Sequence, residues 1–195
     1  MEKILQTICQ NPDLEARWLH TLALLEYIGA RKISKSIAVH HPPLYQLKHL
    51  ADESRHAYAF KQLSFAAGLQ SEKDYLCPEE AISYFQTLDQ KVSEWITSIT
   101  GKEDQIQNYL FVTSTIERRA IKLYPLYLKT TQNPLVKEEL KQIIREEGDH
   151  KPEIEEYSIN ILKNKDLNYS LNNCDDIEAP LFFKFEKSLQ DKINA

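Results

Sequence analysis

The sequence predicts an all-α protein: a four-helix bundle with a long helical crossover and a short C-terminal helix. Four long segments carry apolar residues at the i, i+3, i+4, i+7 spacing of one helix face. No stretch alternates with the period of a strand, and only 4 of the 195 residues are glycine, which suits helices better than loop-rich β folds. A chain of this length is expected to form one domain over residues 1–195.

The first half of the chain predicts two core helices. The first covers about residues 13–38, with Asn11 as its N-cap and Pro12 in its first turn. The second covers about residues 43–67 and ends at Gly68, a residue that favours helix termination. The predicted crossover follows, over about residues 69–102, and contains a helix of its own.

The second half repeats this arrangement with core helices at about 103–131 and 134–163. Pro125 predicts a kink near Ile121, and Pro152 predicts a break in the last core helix. The remaining residues, 164–195, are expected to form an appendage outside the bundle. Within it the sequence predicts a polar loop over 164–180 and a short helix over 181–192.

Both halves carry the same pattern of acidic and histidine residues. In each half a helix with one central glutamate precedes a helix with Glu-x-x-His, a spacing that places both side chains on one helix face. All six residues fall on the apolar stripes of their helices: Glu26, Glu53, His56, Glu117, Glu147 and His150.

A buried group of four carboxylates and two imidazoles indicates a metal site. Unpaired buried carboxylates are costly and repel one another unless they are protonated or bound to cations. Two iron ions would neutralise this charge and accept mixed oxygen and nitrogen ligands. The alternative is that the acids pair with arginines, for example Glu117 with Arg118 or Arg119 of a neighbouring helix.

Glu, Glu-x-x-His, Glu, Glu-x-x-His on four helices resembles the ligand set of the ferritin-like di-iron carboxylate superfamily. The resemblance covers about residues 13–160 and implies two iron ions, with manganese or a mixed Mn/Fe pair as alternatives. In that comparison Glu53 would be one bridging carboxylate, and the pair Glu117 and Glu147 would include another. Phe60 replaces the radical tyrosine of ribonucleotide reductase, and Met1 is the only methionine, which excludes haem binding of the bacterioferritin kind.

The resemblance implies a non-haem di-iron oxidoreductase that activates dioxygen or peroxide to oxidise a small or apolar organic substrate. An electron-donor protein would then be a partner, and a homodimer is compatible with the pattern. The alternatives are a ferroxidase or iron-handling protein, ferritin-like or rubrerythrin-like, and a metal-free interaction module. A substrate cavity is expected beside the metal, lined by Phe60, Ile121 and Tyr124.

The composition bears on the expected binding partners and on the cellular compartment of the protein. The net charge of −5 disfavours nucleic acid, and no apolar run is long enough for a membrane span. Three dispersed cysteines suggest a reducing cytoplasm.

Three neighbours of the motifs have two interpretations each. Asp52 and Glu146 either orient the imidazoles or are solvated, in which case another group supplies the partner of each histidine. His49, one turn before Glu53, is either a cavity residue or an ordinary core or surface residue.

Overall fold

A computed structural model describes residues 1–37, 40–162 and 167–194, with side chains described throughout these ranges except at 150–169. The described residues form seven α-helices and no strand, so the all-α prediction is confirmed. The helices, in chain order, are α1 (Glu2–Gln10), α2 (Pro12–Ser36), α3 (Leu44–Ala66), α4 (Pro78–Thr100), α5 (Gln105–Thr130), α6 (Pro134–Leu162) and α7 (Leu167–Ile193).

Helices α2, α3, α5 and α6 contact one another in a ring. Helix α2 packs against α3 and α5, and α6 packs against the same two helices. These are the four core helices that the sequence predicted, and each begins and ends within about three residues of its predicted limits. The ring encloses the faces that carry the glutamates and histidines of the two motifs.

The remaining three helices cover the outside of this ring. Helix α4, the helix of the predicted crossover, contacts α2 and α5, and α7 packs against both α4 and α5. The short α1 contacts α2, α5 and α7 through its buried Ile4, Leu5 and Ile8. One side of the ring, centred on α5, is thus shielded from solvent by a second layer of helices.

Local sequence signals set the helix limits. The side chain of Asn11 accepts hydrogen bonds from the backbone N–H groups of Asp13 and Leu14, which otherwise lack a partner in the first turn of α2. Asn133 caps α6 in the same way, ahead of Pro134. Gly101 ends α4 with φ of 77°, a left-handed conformation that glycine adopts without strain.

Two expectations for helix limits are wrong, and one helix was not predicted. Helix α6 continues past Pro152 to Leu162, so the break predicted there does not occur. Helix α7 begins at Leu167 and spans 27 residues, where the sequence predicted a loop and a short helix. The helix α1 was not predicted at all.

Helices α7 and α1 form for different physical reasons, neither of which is visible in the local sequence. In α7, Leu171, Cys174 and Phe182 are buried on one face, and packing against α4 and α5 outweighs the weak helix propensity of the polar segment. Helix α1 has 9 residues, too few to be stable alone, and depends on the apolar contacts of its buried face.

None of the described helices has a stretch both long and apolar enough to cross a membrane.

Candidate metal centre

Four of the predicted ligands meet in the interior of the helix ring. Glu26 comes from α2, Glu53 and His56 from α3, and Glu147 from α6, and one ligand atom of each lies within 4.8 Å of all the others. All four are buried, with exposed fractions between 0% for His56 and 7% for Glu26 and Glu53. Ligand atoms on opposite sides of one ion are about 4.2 Å apart, so this group needs only a small contraction to bind a metal.

The imidazole of His56 presents one nitrogen to the carboxylates and the other to a supporting residue. Its Nδ1 lies 3.3 Å from Glu147 Oε1 and 3.8 Å from Glu26 Oε2. Its Nε2–H donates to Glu146 Oε2 at 2.8 Å. A histidine that binds a metal usually donates its second N–H in this way, which fixes the ring and its tautomer.

Glu146 is itself held by two donor residues besides His56. Arg55 donates to Glu146 and, at 2.6 Å, to Glu139 Oε1, while Gln142 donates to Glu146 Oε1 at 2.9 Å. Burial alone would raise the pKa of Glu146, but the hydrogen bonds from Gln142, His56 and Arg55 lower it to about 2. Glu146 therefore stays ionised, and from α6 it supports His56 on the neighbouring helix α3.

Glu117 reaches the site through His49. Glu117 is buried on α5, and His49 Nε2 lies 3.2 Å from Glu117 Oε1 and 3.4 Å from Glu53 Oε1. His49 Nδ1 is 3.3 Å from the hydroxyl of Tyr109. The structure therefore gives His49 the cavity role, with an exposed fraction of 3%.

Arg118 and Arg119 bind acids other than Glu117. Arg118 donates to Asp175 at 2.6 Å, and Arg119 makes a two-pronged contact with Glu178 on α7. Neither of the two arginines suggested as partners of Glu117 binds it, because both bind acidic residues of α7.

The electrostatics of the site are those of crowded carboxylates. Burial, followed by the charges of Glu26 and Glu147, raises the pKa of Glu53 well above its usual range. For Glu26 burial acts in the same direction, but hydrogen bonding and charge from His56 outweigh it and lower the pKa. Burial opposes ionisation of His56, yet Glu147 and Glu26 raise its pKa to about 11. The raised pKa values of His56 and Glu53 both favour their protonated forms, which carry less negative charge into the group.

Gly29 provides space for one of these carboxylates. It lies in α2, one turn after Glu26, and a Cβ at this position would be 2.8 Å from Glu53 Oε2. That distance is well inside van der Waals contact, so the carboxylate could not keep its place beside a larger residue. The glycine is therefore part of the site, although it carries no ligand atom.

We expect Gly29→Ala to weaken metal binding by at least about tenfold without destabilising the metal-free fold. The added methyl displaces the end of Glu53, whereas alanine is a better helix former than glycine by about 1 kcal/mol. Calorimetric metal titration and thermal melting of the metal-free protein measure the two effects. Gly148→Ala is the matched control, because a Cβ at this exposed position in α6 meets nothing within 4 Å. Equal metal affinity in the two variants would show that Glu53 does not need its present position.

A cavity of about 50 Å³ borders the four carboxylates of the site, those of Glu26, Glu53, Glu117 and Glu147. Its other walls come from α2, α4, α5 and α7 and are mostly apolar, with Leu22, Leu25, Ile116, Leu123, Phe182 and Phe185 among them. Tyr124 also lines it and donates its hydroxyl hydrogen bond to Glu26 Oε1. The expectation for Tyr124 thus holds, but Phe60 and Ile121 lie outside this lining.

The structure brings together five of the six residues that the sequence selected, four in one group and Glu117 beside it. The side chain of the sixth, His150, lies outside the described residues. Sequence reasoning did not identify Gly29 or Arg55, and it offered Glu146 as a residue that could orient an imidazole without assigning it to His56. It left His49 with two interpretations, a cavity residue or an ordinary core or surface residue, although the four-residue spacing to Glu53 placed it on the same helix face.

The donor set fits a hard or borderline metal ion, because it combines carboxylate oxygens with an imidazole nitrogen. Within the described part of the chain, His56 Nδ1 is buried, makes no hydrogen bond of normal geometry and faces the carboxylates. These residues can hold a metal ion, and nothing in their geometry identifies which metal. None of the protein-family models, curated proteins or solved structures compared with this chain matches it.

Proposed function

We propose that this chain is a ferritin-like di-iron protein that activates dioxygen and oxidises a small or apolar organic substrate. The observation that carries the proposal is the buried meeting of Glu26, Glu53, His56 and Glu147 from three helices within 4.8 Å. A bare cluster of this kind is unfavourable in a protein interior, whereas two cations would offset its charge.

The arrangement of the helices supports the ferritin-like assignment. Helices α2 and α3 carry the first glutamate and Glu-x-x-His, and α5 and α6 carry the second set in the same order. In the ring of contacts, α3 and α6 are neighbours, so the two Glu-x-x-His helices lie side by side. In this placement Glu53 and Glu147 would be among the residues that hold a pair of ions.

Iron bound at this site would supply the electrons that reduce dioxygen. The protein's own residues have three tasks around it. Arg55 and Glu146 hold His56 in one orientation, Tyr124 hydrogen-bonds Glu26, and the apolar wall formed by α2, α5 and α7 keeps bulk water out. Reduction of the iron between turnovers would require an electron-donor protein.

The apolar cavity favours oxidation of an organic substrate over iron handling. An iron-transfer path needs polar ligands along its length, whereas the lining of this cavity away from the site is mostly apolar. Its polar members there are Tyr84, Tyr124 and Arg119, and Arg119 already binds Glu178. At about 50 Å³ it holds dioxygen or one or two waters, so a larger substrate requires displacement of its walls. Phe182 and Phe185 of α7 form the wall outside the four-helix ring.

The test uses iron-loaded protein and a substitution that fills this cavity. We expect dioxygen consumption by the Fe(II) protein to change at least about threefold when toluene or octanal is added. Ala120→Phe places a ring in the cavity and should abolish that response while metal content stays unchanged, because Ala120 carries no ligand atom. Measurements are metal analysis and an oxygen electrode.

Ala57→Phe is the matched control, since Ala57 is also half-buried and helical but does not line the cavity. It should retain the response to the organic compound. Uptake of many iron ions per chain with no response in the unsubstituted protein would favour the iron-handling alternative. Protein that binds no metal at all would contradict the proposal and favour a metal-free helical bundle.

A further inference from the structure

His49 lies outside the two Glu-x-x-His motifs, yet its imidazole faces the site. It is four residues before Glu53 on α3, and Glu117 approaches it from α5. The two carboxylate oxygens are 3.4 Å and 3.2 Å from the same nitrogen, Nε2. One nitrogen and two oxygens from two helices thus converge at a single point in the interior.

These separations are those of ligand atoms that share a metal ion. With metal–ligand bonds of about 2.1 Å, adjacent ligand atoms are about 3.0 Å apart at a right angle and about 3.4 Å apart at the tetrahedral angle. An N–H···O hydrogen bond is usually 2.7–3.2 Å long, so contacts of 3.2 Å and 3.4 Å would be long hydrogen bonds, like the 3.3 Å contact between Nδ1 and Tyr109. The two separations from Nε2 match the spacing of ligand atoms around one ion.

A small cavity lies where such an ion would bind. It has a volume of about 20 Å³ and is lined by His49, Glu53 and Glu117 together. That is room for one water molecule or one metal ion. Lys32 also borders this cavity, but its ammonium group contacts Asp89 and Asn108.

The second ring nitrogen of His49 has a partner that suits a ligand. Nδ1 lies 3.3 Å from the hydroxyl of Tyr109, which is fully buried. A proton on Nδ1, donated to that hydroxyl, leaves the lone pair of Nε2 directed toward Glu53 and Glu117. Outer hydrogen bonds of this kind are usual for histidines that bind metals.

We propose that His49 is a seventh protein ligand, which binds the metal ion held between Glu53 and Glu117. This inference rests on the proposed metal centre and gives its second ion an imidazole beyond those of the two motifs. Glu53 then lies between the two halves of the site, with His56 on one side of it and His49 on the other.

The test is metal binding to the full-length protein, stripped of metal and titrated with Fe(II) under anaerobic conditions. We expect the unsubstituted chain to bind about two ions. His49→Gln keeps an N–H donor of similar reach but offers no imidazole, and it should lower the affinity for one ion by at least about tenfold. His20→Gln is the matched control, because His20 is fully buried on α2 with Nδ1 at 3.1 Å from a backbone carbonyl, away from the site.

A second measurement does not depend on the folding of the variant. In Zn(II)-loaded protein with ¹⁵N-labelled histidine, the Nε2 resonance of His49 should take a metal-bound chemical shift while Nδ1 stays protonated. A protonated Nε2 in the loaded protein, or full binding of both ions by His49→Gln, would show that His49 is not a ligand. Either result would leave the proposed metal centre itself intact. Failure of the unsubstituted protein to bind metal would overturn the centre itself.

Discussion

Replacing Glu53 by glutamine is expected to reduce the bound metal from about two ions per chain to fewer than one. Glu53 is the residue that both halves of the site share: it belongs to the group with Glu26, His56 and Glu147, and it lies 3.4 Å from His49 beside Glu117. Glutamine has the same shape but one oxygen instead of a charged pair, so it cannot bridge two cations. Elemental analysis after iron loading measures the loss.

The metal-free Glu53→Gln protein should remain folded, with a free energy of unfolding within about 1 kcal/mol of the original. Burial and the neighbouring charges of Glu26 and Glu147 raise the pKa of Glu53, so glutamine replaces a side chain that already favours its neutral form. Glu15→Gln is the control, because Glu15 is equally buried at 7% but bonds Tyr127 and Thr131 elsewhere in the core. Two ions bound to Glu53→Gln would contradict the shared role.

Saturation with metal is expected to raise the melting temperature by about 10 °C or more. An ion that binds only the folded chain stabilises it by about 4 kcal/mol at a thousandfold excess over its dissociation constant. For a domain of this size each kcal/mol shifts the midpoint by about 2–4 °C. Thermal unfolding followed by circular dichroism, with and without chelator, measures the shift.

The metal-free protein should still melt cooperatively, because most of the core is apolar and distant from the carboxylates. Trp18, Phe111 and Leu88 are examples of side chains buried completely or nearly so. The Glu53→Gln variant should show no metal-dependent shift. A metal-free chain without helical structure would mean that the ion is needed for folding, and an unchanged midpoint at saturating metal would argue against binding.

The four core helices could be predicted because the sequence features that define them, the helix caps and apolar stripes, are local. Asn11 and Asn133 cap two helices where the sequence placed their starts, and the apolar stripes between these caps have a clear helical period. The residues of the motifs were selected because a carboxylate inside an apolar stripe is rare. The structure places five of them together, which their spacing on separate helices could suggest but not establish.

The parts that sequence reasoning missed depend on contacts between distant segments. The stripe of α7 includes Glu178, which looks like a solvated acid until Arg119 and Tyr84 are seen to bind it in the interior. Pro152 was expected to break α6, but the helix continues past it to Leu162, because a proline inside a helix can produce a kink instead of an end. Gly29 carried no sequence signal, because its role is the space it leaves for Glu53 across the helix pair.

Because Glu146 supports His56 from a later helix, the residues of the site are completed in a fixed order during translation. Helices α2 and α3 provide Glu26, Glu53 and His56, but Glu146 follows His56 by 90 residues, and Glu147 by one more. At usual rates of synthesis the ribosome needs roughly 5 to 18 seconds to add that stretch. During this interval the nascent first half holds three of the ligand residues with no partner helix to orient the imidazole. A metal centre at this site would therefore be complete only after α6, which carries Glu146 and Glu147, has been synthesised.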